Sequence, residues 1–148
     1  MYADVPSKTH FVQYLQIGAV LCGMEKGESA KSLLLKSMDL TCKASFSWMF
    51  YYFRELEMVG VYDLLDKKLD AFRGLLDLGC TTTPEWIWAD LRSECHAWSA
   101  VTIYEFTAKV LGVTYRENTI TIQPYISNRL QVKGYVATPR EWCIVLGR

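Results

Sequence analysis

The chain has 148 residues, of which 51% are hydrophobic, and its 16 basic residues balance its 16 acidic residues. This length fits one domain with a sizeable core. The zero net charge, without any block of like charge, argues against nucleic acid and against an anionic membrane surface as partners.

Apolar residues at helical spacing predict four helices in the first half of the chain. These helices cover residues 10–24, 28–38, 46–58 and 62–76. Ser45 can cap the third helix, and Gly60 stands where a left-handed carboxy-terminal cap is expected. Helices of similar length that follow one another predict antiparallel hairpins.

The pattern changes in the second half of the chain. Residues 79–92 contain three threonines, a proline and two tryptophans and predict a loop, and a fifth helix is predicted over 94–111, with Ser93 as its cap and Gly112 as its stop. Alternating residues then predict short strands at 119–123, 130–133 and 142–146. The fold class is therefore mainly α, with helical hairpins followed by a short antiparallel β segment.

An array of so few hairpins leaves an apolar edge uncovered. A second copy of the chain, a partner chain or further sequence could cover that edge. A homo-oligomer is one of these outcomes.

The five cysteines are scattered and include no Cys-x-x-Cys pair, which favours reduced thiols over a disulfide framework or a zinc site. The amino terminus carries Asp4 and lacks the apolar core of a signal peptide, and no stretch reaches the roughly 18 apolar residues of a spanning helix. We therefore predict a cytoplasmic chain without a membrane partner.

Aromatic residues are in excess, with 5 Trp, 9 Tyr and 6 Phe. Flat rings suit the faces of sugars, but each ring also buries a large area, and filling a core is the simpler interpretation.

Glu85 is the candidate general base, since it is a single carboxylate placed between threonine hydroxyls and the indole of Trp86. The same residues also fit a helix start, with Thr83 as the cap, Pro84 at the first position and an acid near the positive helix end. Local pattern alone favours the helix start.

His96 is predicted to lie on the fifth helix, where a lone histidine is usually structural. Its neighbour Cys95 points about 100° away on a helix, so a thiol–imidazole pair is a weak hypothesis. The sequence has no glycine-rich phosphate loop and no metal-ligand spacing, and no cofactor or metal is expected.

Two segments in this order, DLGCTTTPEW at 77–86 and RSECHAWSA at 92–100, resemble the family 78 glycoside hydrolases, the bacterial α-L-rhamnosidases. The similarity extends upstream to residues 51–56 and 60–63. It also extends downstream, through residues 110–113, 122–125, 132–134 and 137–139.

The resemblance implies that residues 1–112 form part of an (α/α)6 toroid of six helical hairpins and that residues 113–148 resemble the start of a carboxy-terminal β-sandwich. It implies hydrolysis of terminal α-L-rhamnosides with inversion, which needs one carboxylic acid and one carboxylate. Glu85 matches the family's general base. His96 matches a residue that lines the sugar pocket, and Trp86 and Trp98 could add ring faces.

The family's general acid lies upstream of anything in this chain, and none of Asp77, Asp90 and Glu94 stands where the resemblance would place it. We therefore expect a glycosidase fragment without the general acid, which a partner chain or a fuller gene product would supply. The alternative is a non-catalytic remnant that binds carbohydrate or self-associates.

Overall fold

The computed structural model describes residues 1–86, 93–126 and 131–147. The chain divides into two compact units, Met1–Ser99 and Ala100–Arg148. Helices dominate the first unit, and two small antiparallel sheets follow in the second. This confirms the predicted order of helices followed by antiparallel strands.

The first unit contains four α-helices within its described residues, each formed where the sequence predicts one. They are α1 (Gln13–Leu21), α2 (Gly27–Ser37), α3 (Met49–Met58) and α4 (Leu65–Asp77). Single 3-10 turns, Phe46–Trp48 and Tyr62–Leu64, lead into α3 and α4. Ser45 precedes the first of these turns as predicted, but its hydroxyl pairs with Ser47 and caps no backbone N–H group.

The core of the first unit lies where α1 packs against α2 and α3. Ile17, Leu34, Phe53 and Leu56 are completely buried there. Burial of each such side chain stabilises the fold by about 1.5–3 kcal/mol relative to exposure. The ring of Phe72 on α4 packs on Phe46 at 4.4 Å between centroids.

Helices α1, α3 and α4 end at glycines in the left-handed region, Gly23, Gly60 and Gly79. After α3, Gly60 has φ of 74°, its N–H group bonds to the Glu57 carbonyl, and the N–H group of Val61 reaches back to Leu56 at 2.8 Å. These two bonds form a Schellman motif, which a side chain at position 60 would disfavour. The cap predicted at Gly60 is thus confirmed.

The helix predicted over residues 94–111 is wrong at its start. Ser93 has φ of 53° and so cannot serve as a helix cap, and the chain bends through residues 93–95. A 3-10 turn at Ala97–Ser99 comes first, then α5 (Val101–Tyr104), which continues as π-helical turns over Glu105–Val110. The backbone of residues 94–96 bonds instead to the loop at residues 82–83, and this competes with helix formation.

The second unit contains two hairpins. Strands β1 (Val113–Arg116) and β2 (Thr119–Ile122) pair from Val113 with Ile122 to Arg116 with Thr119. Strands β3 (Val132–Ala137) and β4 (Trp142–Gly147) pair from Val132 with Gly147 to Ala137 with Trp142. The sequence predicted strands β2, β3 and β4 and missed β1. The predicted strand 130–133 begins at residue 130, which lies outside the described residues.

The second hairpin has two unlike faces, because side chains alternate along a strand. Val132 and Val145 are buried on the inner face, where Gly134 lies against the side chain of Leu111. The outer face carries large apolar residues that are 57–70% exposed: Tyr135, Trp142, Ile144 and Leu146. We refer to these four residues as the outer face of the β3–β4 hairpin.

All five cysteines are free thiols. In the described ranges, no helix is both long enough and apolar enough to cross a membrane.

Candidate functional site

The structure brings together the two segments that carry the family resemblance. The N–H group of Glu85 donates to the Ser93 carbonyl at 3.1 Å, and the N–H group of His96 donates to the Thr83 carbonyl at 2.9 Å. The Thr82 hydroxyl adds a bond to the Glu94 carbonyl at 2.6 Å. Main-chain bonding therefore fixes the segment around Glu85 beside the segment around His96.

Glu85 lies in an extended loop, and none of Thr83, Pro84, Glu85 and Trp86 is helical. The helix start that local pattern favoured is therefore wrong for these residues. Pro84 is completely buried, and the Glu85 carbonyl accepts the N–H group of Phe46 at 3.1 Å. The Glu85 side chain remains partly accessible to solvent.

Tyr14 on α1 faces this loop and was not foreseen as a site residue. Burial raises the pKa of the Tyr14 hydroxyl, hydrogen bonding to Ser45 offsets part of the rise, and the charges of Cys42 and Glu85 add smaller increases. Tyr14 falls within the first predicted helix, and nothing in its local pattern indicates a site residue.

Aromatic rings surround the Tyr14 side chain. Its ring meets Trp86 edge-on at 6.0 Å between centroids and meets Trp48 edge-on at 5.3 Å. Such edge-to-face contacts stabilise the arrangement of the rings beyond their burial. Trp86, which the sequence proposed as a sugar-facing ring, is therefore a member of a packed aromatic cluster next to Glu85.

The rings of His96 and Trp98 contact each other on the segment that is bonded to the Glu85 segment. The His96 Nδ1 atom lies 3.2 Å from the Ser93 hydroxyl, and the imidazole meets the Trp98 indole edge-on at 6.1 Å. Trp98 is 79% exposed, which is unusual for so large an apolar side chain. The indole therefore offers a ring face to solvent.

Two cavities adjoin these segments. One, of about 230 Å³, has Trp86, Phe46 and Phe72 among its lining residues. The other, of about 270 Å³, lies along residues 78–82 and reaches Pro84 and Glu94. Among the residues that the structure describes, no three histidine, cysteine or acidic side chains are grouped as a metal site would require.

Comparisons with known protein families, with curated proteins and with solved structures found no match for this chain.

Proposed function

We propose that this chain is the carboxy-terminal part of a glycoside hydrolase that acts on terminal α-L-rhamnosides with inversion. The observation that carries the proposal is the arrangement around Glu85. A partly accessible carboxylate, that of Glu85, precedes Trp86, whose ring packs edge-on against Tyr14, and it lies on a segment bonded to that of His96. A proton acceptor, hydrogen-bonding groups and ring faces are the parts that a sugar-hydrolysing site requires.

In this proposal Glu85 is the general base. Its carboxylate removes a proton from a water molecule as that water attacks the anomeric carbon of the sugar. His96 hydrogen-bonds the sugar hydroxyls, and Trp86 and Trp98 contribute apolar ring faces. Tyr14 is a further candidate for sugar contact, because its ring packs against Trp86, the residue that follows Glu85.

The second carboxyl group of the reaction must protonate the leaving oxygen from the opposite side of the bond. We propose that it comes from a partner chain or from further sequence, together with the helical hairpins that would complete an (α/α)6 toroid. The packing of α1 against α2 and α3 supports a hairpin arrangement of this kind.

Hydrolysis of 4-nitrophenyl α-L-rhamnoside by the chain tests the role of Glu85. Nitrophenol leaves with little help from an acid, so the base half of the site can be assayed by itself. Loss of a single acid–base group typically costs about 10²–10⁴-fold in rate, and we expect Glu85→Gln to lose any measurable turnover. The matched control is Glu94→Gln on the bonded partner segment. Equal turnover by Glu85→Gln and the unsubstituted chain would refute the assignment.

A non-catalytic carbohydrate-binding module is the second candidate function. The exposed Trp98 ring favours it, because an indole held edge-on to His96 presents a flat apolar platform to solvent. This function predicts binding of L-rhamnose without turnover, and loss of the binding in Trp98→Ala but not in Trp142→Ala. An NMR titration with L-rhamnose, read beside the 4-nitrophenyl α-L-rhamnoside assay, distinguishes the two candidates.

A further inference from the structure

The 230 Å³ cavity of the helical unit combines an apolar wall with a cluster of lysines. Rings and aliphatic groups form most of the wall, from Phe46, Met49, Phe72 and Trp86. Three lysines also line it: Lys43, Lys67 and Lys68. An apolar pocket with a few convergent polar groups is the usual form of a small-molecule site.

The positive charge at this cavity is poorly compensated. The pKa of Lys68 is lowered to about 8, first by burial and then by the neighbouring charge of Lys43, while Asp39 acts in the opposite direction. Within the described residues, none of the three lysines forms an ion pair. The Lys43 ammonium donates to the Met38 carbonyl, and the Lys68 ammonium lies 5.1 Å from the centre of the Tyr52 ring.

Lysines that line one partly enclosed cavity favour an anion inside it, because the anion relieves both the repulsion between the ammonium groups and their desolvation. The apolar wall restricts which anions fit. Inorganic phosphate or sulfate would lose its hydration against phenyl and indole rings without regaining it. A molecule with a planar aromatic ring and one carboxylate matches both the apolar wall and the lysines of the cavity.

We propose that this cavity binds a small aromatic carboxylate, with the ring against Phe46, Phe72 and Trp86 and the carboxylate toward Lys68 and Lys43. The volume is adequate, since a cavity of about 150 Å³ holds benzene in another protein. The site uses neither Glu85 nor His96 and shares only the Trp86 ring with the proposed sugar site, so it goes beyond the proposed sugar chemistry and is tested separately from it.

The experiment is an NMR titration of the full chain with benzoate, beside benzamide, which has the same shape without the charge, and acetate, which has the charge without the ring. We expect benzoate to bind at least tenfold more tightly than either. The largest shifts should fall on the signals of Phe46, Phe72 and Trp86. Equal binding of benzamide and benzoate, or shifts confined to other residues, would overturn the proposal.

Lys68→Gln tests the lysine cluster directly. A charge-assisted hydrogen bond corresponds to roughly tenfold or more in affinity, and we expect a loss of that size for benzoate and little change for benzamide. Lys43→Gln is the second variant, and Lys36→Gln, at an exposed position on α2, is the matched control. Unchanged benzoate affinity in both folded cavity variants would also overturn the proposal.

The pH dependence of benzoate binding gives an independent readout. The groups near Lys68 are Lys43, Asp39 and the Tyr52 phenol, whose own pKa is raised by burial and by Glu55. Benzoate affinity should fall as the pH rises through about 8, where free Lys68 loses its proton. Affinity that stays constant from pH 7 to pH 9 would contradict a role for the Lys68 ammonium.

Discussion

The Glu55 carboxyl and the Tyr52 hydroxyl are both completely buried on α3, one helical turn apart, and neither forms a hydrogen bond of ordinary geometry among the described residues. The pKa of Glu55 is raised to about 8, mainly by burial, and the backbone of Leu21 acts in the opposite direction. The carboxyl is therefore mainly protonated in the folded chain at neutral pH, because an unpaired charge there would be costly.

Glu55 makes stability depend on pH. Between its ordinary pKa of 4.5 and about 8, the folded chain retains a proton that the unfolded chain has released. Raising the pH across this window therefore favours unfolding, by an amount on the order of 3 kcal/mol in total. Glu55→Gln should remove this slope and make the chain more stable than the unsubstituted protein at pH 8. Urea unfolding at pH 5 and pH 8 measures the difference.

The matched control is Glu57→Gln, an exposed position on the same helix that pairs with Arg54. Surface pairs of this kind contribute about 0–1 kcal/mol, and this variant should keep the pH slope. If Glu55→Gln retained the slope as well, Glu55 would not be its source.

Lys68 should have the opposite effect above pH 8. Its pKa is lowered from 10.5 to about 8, so between these values the unfolded chain holds a proton that the folded chain has released. Raising the pH then favours the folded state. We expect the free energy of unfolding to pass through a minimum near pH 8 and to rise above it. Lys68→Gln should flatten the rise, whereas Lys36→Gln should leave it unchanged.

Gly112 should tolerate no side chain. Its φ is 68°, and a Cβ atom there would overlap the carbonyl group of Gln123, which belongs to the backbone and cannot move aside cheaply. Gly112→Ala should destabilise the chain by about 2–4 kcal/mol through strain and displacement of the first hairpin. Gly79→Ala is the control, since it has a similar φ of 73° and open space around the Cβ position. Thermal unfolding of both variants should separate the steric cost from the cost of the backbone conformation.

The turn between β1 and β2 can be improved. Glu117 and Asn118 both have positive φ, at 48° and 62°, as a two-residue type I′ turn requires. Glutamate suits that conformation poorly, whereas asparagine suits it well. Glu117→Asn should stabilise the hairpin by roughly 0.5–1 kcal/mol and slow amide exchange in β1 and β2. The change leaves intact the bond from the Tyr115 hydroxyl to Asn118 at 2.7 Å. Faster exchange would contradict this account of the turn.

The outer face of the β3–β4 hairpin should bind apolar dyes and promote self-association. Trp142, Ile144 and Leu146 lie together on β4 and are 57–70% exposed, which is more contiguous apolar surface than scattered residues provide. Replacing Ile144 and Leu146 with threonine should lower both dye binding and association in sedimentation, while threonine preserves strand propensity. Lys133→Thr on the same face is the control. A monomeric chain without dye binding would show that this face does not promote self-association.

Periodicity predicted α1 to α4 because each of these helices buries one face. The cap at position 60 was also predictable, because the backbone there needs a positive φ and glycine adopts it readily. Periodicity failed at Ser93, where hydrogen bonds from residues 93–96 to a loop 8–13 residues earlier in the chain outweigh local helix propensity. Strand β1 was missed because its turn lacks glycine, the usual sign of a two-residue hairpin.

The candidate site was predictable only in part. Glu85, Trp86 and His96 were named from their segments, and the structure places these segments side by side. Tyr14 and the lysine cavity depend on contacts between α1, α4 and residues 43–46, which are far apart in the sequence. No local pattern encodes such contacts.

Main-chain hydrogen bonds with Phe46, Ser93 and Thr83 hold the backbone at Glu85 and His96 in place. Every residue type except proline can supply these atoms, so either side chain could be exchanged without disturbing the frame around it. Mutations during evolution could therefore remove or replace the Glu85 and His96 side chains while the backbone of the loop keeps its conformation. Protein engineers could therefore substitute residues 85 and 96 systematically and compare the effects of different side chains on the same backbone.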